Sequence, residues 1–147
     1  MEKLKVYVAL SLTHVKTEAE KDEVRAFMKW LPATFDVEIL KWAFDLERWE
    51  PQPVADIYAY DTERVKAADL MIVLYLSNDG SDGRGGEVVN RVENGGGKPV
   101  LGFAREGVRV SRYAADCLKG AGTPIRTFKE FSETGPAISE ALDRLRR

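Results

Sequence analysis

The chain has 147 residues, 44% of them hydrophobic and 31% charged, the size and balance of one globular domain that buries its own core. A net charge of −2, with no basic cluster beyond the terminal Arg144-Leu145-Arg146-Arg147, argues against a nucleic-acid polymer as the main partner. A single cysteine, Cys117, and a single histidine, His14, exclude an internal disulfide and a cysteine-based zinc site and leave little for a histidine-ligated metal, so no metal and no cofactor is expected.

Lys3–Leu10 (KLKVYVAL) has the β-branched and aromatic content of a first strand, and Ser11–Val15 form the loop at its end. Thr17–Leu31 reads as a helix. Thr17 and Glu20 form a capping-box pattern, Ala19, Val24, Phe27, Met28 and Leu31 give an apolar stripe, and Pro32 is expected to stop it. Asp36–Trp42 reads as a second strand. Residues 43–56, which include Trp49, Pro51 and Pro53, read as an irregular loop with at most one short turn of helix. Connections of that length are more often functional than idle.

Ile57–Ala68 reads as a helix, in which Asp61 fits either an N-cap or a polar position in mid-helix. Leu70–Leu76 (LMIVLYL) lacks any polar alternation, the pattern of a strand buried on both faces at the centre of a parallel sheet. The loop Ser77–Gly86 leads to Glu87 and a helix over Glu87–Asn94, which Gly95, Gly96 and Gly97 terminate. Pro99–Phe103 is a fourth strand. Arg105–Lys119 begins as a loop and contains a short helix, ended by Gly120 and Gly122. Ile125–Phe128 is a fifth strand, and Gly135–Arg147 is a C-terminal helix with basic residues in its last turn.

Alternating strands and helices imply an α/β fold. The expectation is a doubly wound (Rossmann-like or flavodoxin-like) five-stranded parallel sheet with right-handed crossovers, in a single domain over residues 1–147. The charged amino terminus runs straight into a strand and is not a signal peptide, and no apolar run reaches the length of a membrane span. A soluble, cytoplasmic protein without a membrane partner is the expectation.

In such sheets ligands bind beyond the carboxyl ends of the central strands, so the stretch after Leu76 is where chemistry is expected. Gly80, Gly83, Gly85 and Gly86 let the backbone approach a ligand closely. Two readings fit Glu87: a first-turn acid favoured by the helix dipole, or a carboxylate nucleophile or general base. The loop before it is either a phosphate cradle or a surface loop. It is not a Walker A loop, because no Gly-Lys-Ser/Thr follows, and it lacks the dinucleotide pattern G-x-G-x-x-G. Asp61 and Glu87 in one pocket would suit glycosidic bond chemistry. Tyr7 belongs by position to the core, where its hydroxyl needs a partner such as Glu87. A Ser-His-Asp triad lacks its G-x-S-x-G elbow.

Four segments together resemble the nucleoside 2-deoxyribosyltransferase superfamily, and within it the branch of nucleoside 5′-monophosphate N-glycosidases. They are VYVALSL (Val6–Leu12), IYAYDTERVKAADLMIV (Ile57–Val73), SDGRGGE (Ser81–Glu87) and GKPVLGF (Gly97–Phe103) followed by REGVRVS. The resemblance runs from the first strand to about Phe128. It implies that Glu87 attacks the anomeric carbon, that Tyr7 orients Glu87, and that Asp61 holds the sugar or assists the departing base. It also implies that Ser11, Ser81 and Ser111 bind a 5′-phosphate, with Gly83 and Gly85 in the substrate loop and Ser111 supplied by a neighbouring subunit. A homodimer or higher homo-oligomer with shared active sites follows. Trp42 stands where some relatives carry a histidine near the base, and either stacks on a base or belongs to the core. Val89 stands where the family usually has a glycine.

The expected activity is hydrolysis of a (2′-deoxy)nucleoside 5′-monophosphate to free base and sugar phosphate. The alternatives are a nucleoside 2-deoxyribosyltransferase that exchanges bases, and a nucleotide-binding module without catalysis.

Overall fold

The computed structural model describes residues 2–78, 91 and 95–147. Five parallel strands form one sheet in the order β2-β1-β5-β6-β7: β1 (Lys5–Ala9), β2 (Glu38–Ile39), β5 (Leu70–Tyr75), β6 (Val100–Arg105) and β7 (Arg126–Phe128). Two further strands, β3 (Phe44–Asp45) and β4 (Glu50–Pro51), pair as a separate antiparallel hairpin. The described helices are α1 (Glu18–Phe35), α2 (Ile57–Ala67), α3 (Arg112–Gly120) and α4 (Gly135–Arg146). The expected α/β doubly wound parallel sheet is therefore present.

Every residue of β5 is buried, as its unbroken apolar run requires of a central strand. Asp69 fixes the entry to that strand. Its carboxylate accepts the Lys5 N–H at 2.8 Å while its own N–H donates to the Lys5 carbonyl at 2.8 Å, which sets β1 and β5 in register at their amino ends. From β1 the chain steps one way to β2 and then the other way to β5, β6 and β7. Right-handed crossovers put α1 on one face and α2 and α3 on the other. On the first face Phe27 of α1 stacks on Phe131 at 4.8 Å, and Arg146 of α4 donates to the Phe35 carbonyl at 2.7 Å. On the second, α3 lies so close to β6 that a Cβ added to Gly102 would sit 2.7 Å from Leu118 Cδ1.

Three expectations need correction. Pro32 does not stop α1, which continues to Phe35. The proline costs its own hydrogen bond to the preceding turn, but only three residues follow it. These are held from outside, by the edge contact of Phe35 on Trp30 at 5.2 Å and by Arg146 on the Phe35 carbonyl. The stop is Asp36, in the left-handed conformation at φ 52°. The second strand shrinks to Glu38–Ile39, because Asp36 is spent on the helix cap and Trp42 turns to donate its indole N–H to the Val8 carbonyl at 2.6 Å.

The segment 43–56 is neither irregular nor helical at its centre, since it contains the β3–β4 hairpin. Asp45 Oδ1 accepts the N–H groups of Glu47 and Arg48 at 3.0 and 3.1 Å, closing the turn. Arg25 of α1 pins it by donating to the carbonyls of Leu46 and Glu47 at 2.7 and 3.2 Å. Trp49 sits there at φ 57°, with the Arg25 guanidinium 5.3 Å from its ring and Phe44 edge-on at 5.3 Å.

The helix expected over 87–94 lies outside the described residues except for Arg91, which is helical. Beyond it, Gly96 and Gly97 take φ values of 63° and 81°, the left-handed turn that ends a helix without a Cβ penalty.

Candidate active site

In a sheet of this order the chain reverses direction between β1 and β5, the switch point beyond whose carboxyl ends open α/β sheets bind ligands. Ala9 and Tyr75 are the last residues of those two strands. Tyr7 is the central residue of β1, 3% exposed and in register with Met71. Ser11 follows the strand directly, half-buried, and its carbonyl accepts the His14 N–H at 3.2 Å to close a single 3-10 turn.

Ser111 stands beyond β6 as the N-cap of α3, its Oγ accepting the Ala114 N–H at 3.2 Å. Both serines are N-cap residues, Ser11 of a single 3-10 turn just past β1 and Ser111 of α3, six residues past the end of β6. Ser81, Gly83, Gly85 and Glu87 lie outside the described residues.

Asp61 is in mid-helix. The N-cap of α2 is Asp56, whose Oδ1 accepts the Ala59 N–H at 3.0 Å. Because α2 begins on the carboxyl side of the sheet and packs against β1, its second turn keeps Asp61 near that side of the sheet. Burial pushes the Asp61 carboxyl above the ordinary aspartate range, and the Arg64 guanidinium pulls it part of the way back. Arg64 is itself occupied, donating to the Tyr60 carbonyl at 3.1 Å and lying 3.3 Å from the centre of the Tyr60 ring.

A pKa raised on folding means that the folded protein holds this proton more tightly than the unfolded chain. The ionised carboxylate opposes folding. That cost is absent below the unfolded value of about 4 and sets in as pH rises through the folded one. Asp61→Asn is therefore expected to raise stability to urea at pH 7 and to leave it unchanged below about pH 4. Equal urea midpoints for variant and wild type at pH 7 would contradict this.

Trp42 is held as part of the core. It is 9% exposed, and its indole N–H is committed to the Val8 carbonyl. It also forms one wall of a cleft of about 550 Å3 between α1, the end of β2 and the hairpin, lined by Met28, Phe44 and Leu46 among others.

Two side chains that fasten distant backbone segments escape a reading of the sequence. Asn78, three residues beyond the end of β5, bonds through both side-chain atoms to the loop after β6: Nδ2 donates to the Gly107 carbonyl at 3.2 Å and Oδ1 accepts the Arg109 N–H at 2.6 Å. Arg91 is 1% exposed and donates to the carbonyls of Val65 and Ala68 at 2.9 and 2.7 Å and of Pro99 at 3.1 Å. Desolvation pulls its pKa down and the charge of Asp69 opposes that. An Asn in a loop is common turn chemistry, and an Arg in a short polar helix reads as solvated, so neither carries a signal beforehand.

Among the described residues no group of three or more His, Cys, Asp or Glu is placed to hold a metal ion, and no described helix is long and apolar enough to cross a membrane.

No protein-family model and no curated protein matches the chain. Solved structures that match it include the CMP N-glycosidase BcmB of Clostridium botulinum, at a TM-score of 0.60 and 14% identity over 95% of this chain and 98% of that one. A conserved protein from Enterococcus faecalis V583 matches at a TM-score of 0.67 and 16% identity, over 97% and 99% of the two chains. At these identities the likeness is one of fold. The doubly wound fold implied by the strand and loop motifs is thus one that this chain shares, over nearly its whole length, with a nucleotide N-glycosidase.

Proposed function

We propose that the protein hydrolyses the N-glycosidic bond of a (2′-deoxy)nucleoside 5′-monophosphate. An oxygen of the Glu87 carboxylate bonds to the anomeric carbon as the bond to the base nitrogen breaks, and the base leaves with a proton. Water then cleaves the glycosyl ester, releasing sugar 5-phosphate and restoring Glu87. The steps consume only water and call for no cofactor. Tyr7 orients Glu87. Asp61, whose burial favours its protonated form, holds the sugar or assists the departing base. Ser11, Ser81 and Ser111, with loop N–H groups at Gly83 and Gly85, bind the phosphate without a lysine. The protein works as a homodimer or higher homo-oligomer, with Ser111 completing a neighbour's site.

What supports this reading is the fold shared with a CMP N-glycosidase over 95% of the chain, with Tyr7 in β1, Ser11 just beyond that strand and Asp61 in the second turn of α2. The test is incubation with each nucleoside 5′-monophosphate, with and without a second free base, followed by chromatography. Free base and sugar phosphate as sole products are expected. A new nucleoside or nucleotide would make the protein a transferase, and a nucleotide bound but left intact would make it a binding module.

A further inference from the structure

The loop between β6 and α3 is held unevenly. Its first half is fixed within its own neighbourhood: the Glu106 N–H donates to the Phe128 carbonyl at 2.8 Å and the Val108 N–H to the Arg105 carbonyl at 2.9 Å. The second of these closes a turn in which Gly107 takes φ 87°, the position where a type II turn requires glycine. The second half leads to Ser111, and there the contact comes from another strand end. Asn78 takes the Arg109 N–H at 2.6 Å, two residues before Ser111, and returns a bond to the Gly107 carbonyl at 3.2 Å. Arg109 is exposed, as is Asn78 itself. An exposed side chain that spends both its polar atoms on the backbone of a distant loop gives that loop a defined place instead of meeting water.

We propose that Asn78 is a positioning residue for phosphate recognition, tying the end of β5 to the loop that delivers Ser111 to the neighbouring subunit's site. This rests on the phosphate role proposed above for Ser111. A hydroxyl recognises a phosphate only when held within about half an ångström of its place. The Ser111 Oγ is already committed to capping α3, so what remains adjustable is the backbone that carries it. Asn78 sets that backbone without touching the substrate. Its loss should therefore weaken recognition of the phosphate and spare bond cleavage.

The test compares wild type, Asn78→Ala and Asn78→Asp by amide hydrogen exchange and by steady-state kinetics on a nucleoside 5′-monophosphate and on the same nucleoside without phosphate. In Asn78→Ala the Arg109 amide should exchange about tenfold faster, the worth of one lost hydrogen bond. The KM for the nucleotide should rise about tenfold, kcat should stay within about threefold, and the preference for nucleotide over nucleoside should fall about tenfold. Asn78→Asp keeps an acceptor for the Arg109 N–H and should recover most of the protection and most of the KM. Unchanged exchange at Arg109 in Asn78→Ala overturns the clamp. Faster exchange with an unchanged nucleotide KM, or a fall in kcat alone, overturns its link to phosphate. Wild-type protein that releases no base from any monophosphate overturns the underlying function instead, and does so before any variant is compared.

Discussion

Glu87→Gln is expected to lower kcat for nucleotide hydrolysis by about 10⁴-fold while leaving nucleotide affinity within a few-fold of wild type. Glutamine matches glutamate in size and still offers an oxygen, but it is neutral and a poor nucleophile. If Glu87 forms the ester, the variant loses the covalent route and keeps only what binding and orientation supply. A drop of that size is more than 5 kcal/mol of transition-state stabilisation, beyond what a first-turn acid contributes to a helix. Two measurements fix the meaning. Single-turnover rates on the nucleotide give the loss, and intact-protein mass after an acid quench should show a sugar-phosphate adduct on wild type that the variant lacks. A rate within tenfold of wild type would return Glu87 to the role of a helix-start acid.

Arg91→Met is expected to be the most damaging substitution for stability, at about 3–5 kcal/mol. Methionine fills much of the same stem volume, so what is lost is the guanidinium. Its departure leaves the carbonyls of Val65 and Ala68 without the donor they have now and takes from the Pro99 carbonyl all but the Met71 N–H at 3.2 Å, in a place where Arg91 is only 1% exposed. Each buried acceptor so stranded costs about 1–3 kcal/mol. The first two carbonyls belong to the last turn and cap of α2, where a cation also opposes the helix dipole. At roughly 2–4 °C per kcal/mol for a chain of this size, the melting temperature should fall by about 10 °C or more. Calorimetry decides the matter, and a fall of less than 3 °C or so would mean that the three carbonyls find other donors. Arg91→Lys should rescue only part, because a point charge cannot serve acceptors on both sides as the forked guanidinium does.

The sheet was legible in the sequence because its strands differ in kind. The unbroken run Leu70–Tyr75 can only be a strand covered on both faces, and the capping box at Thr17 and the glycines at 95–97 mark helix ends by local chemistry that nothing distant overrides. What was not legible depended on partners far away in the chain. Pro32 stays helical because Arg146, at the other end of the protein, holds the Phe35 carbonyl. The hairpin at 44–51 exists because Arg25 and Trp49 meet across α1, and its two-residue strands carry no alternation to read. Asp61 could be assigned to mid-helix only once Asp56 was seen to take the cap. On the site, residue types at strand ends named the candidates. The fastening of one loop to another through Asn78 spans 31 positions in sequence and has no pattern to announce it.

Gly102 extends that dependence to the underside of the site. Leu118 can rest on β6 only because residue 102 has no side chain, its nearest hypothetical methyl contact being 2.7 Å. Since α3 runs from its Ser111 cap through Leu118 as one helix, the depth of that seat helps set where the cap stands. A methyl added in mid-sheet would push Leu118 outward and shift the helix that carries the Ser111 cap, with no residue of the cap itself altered.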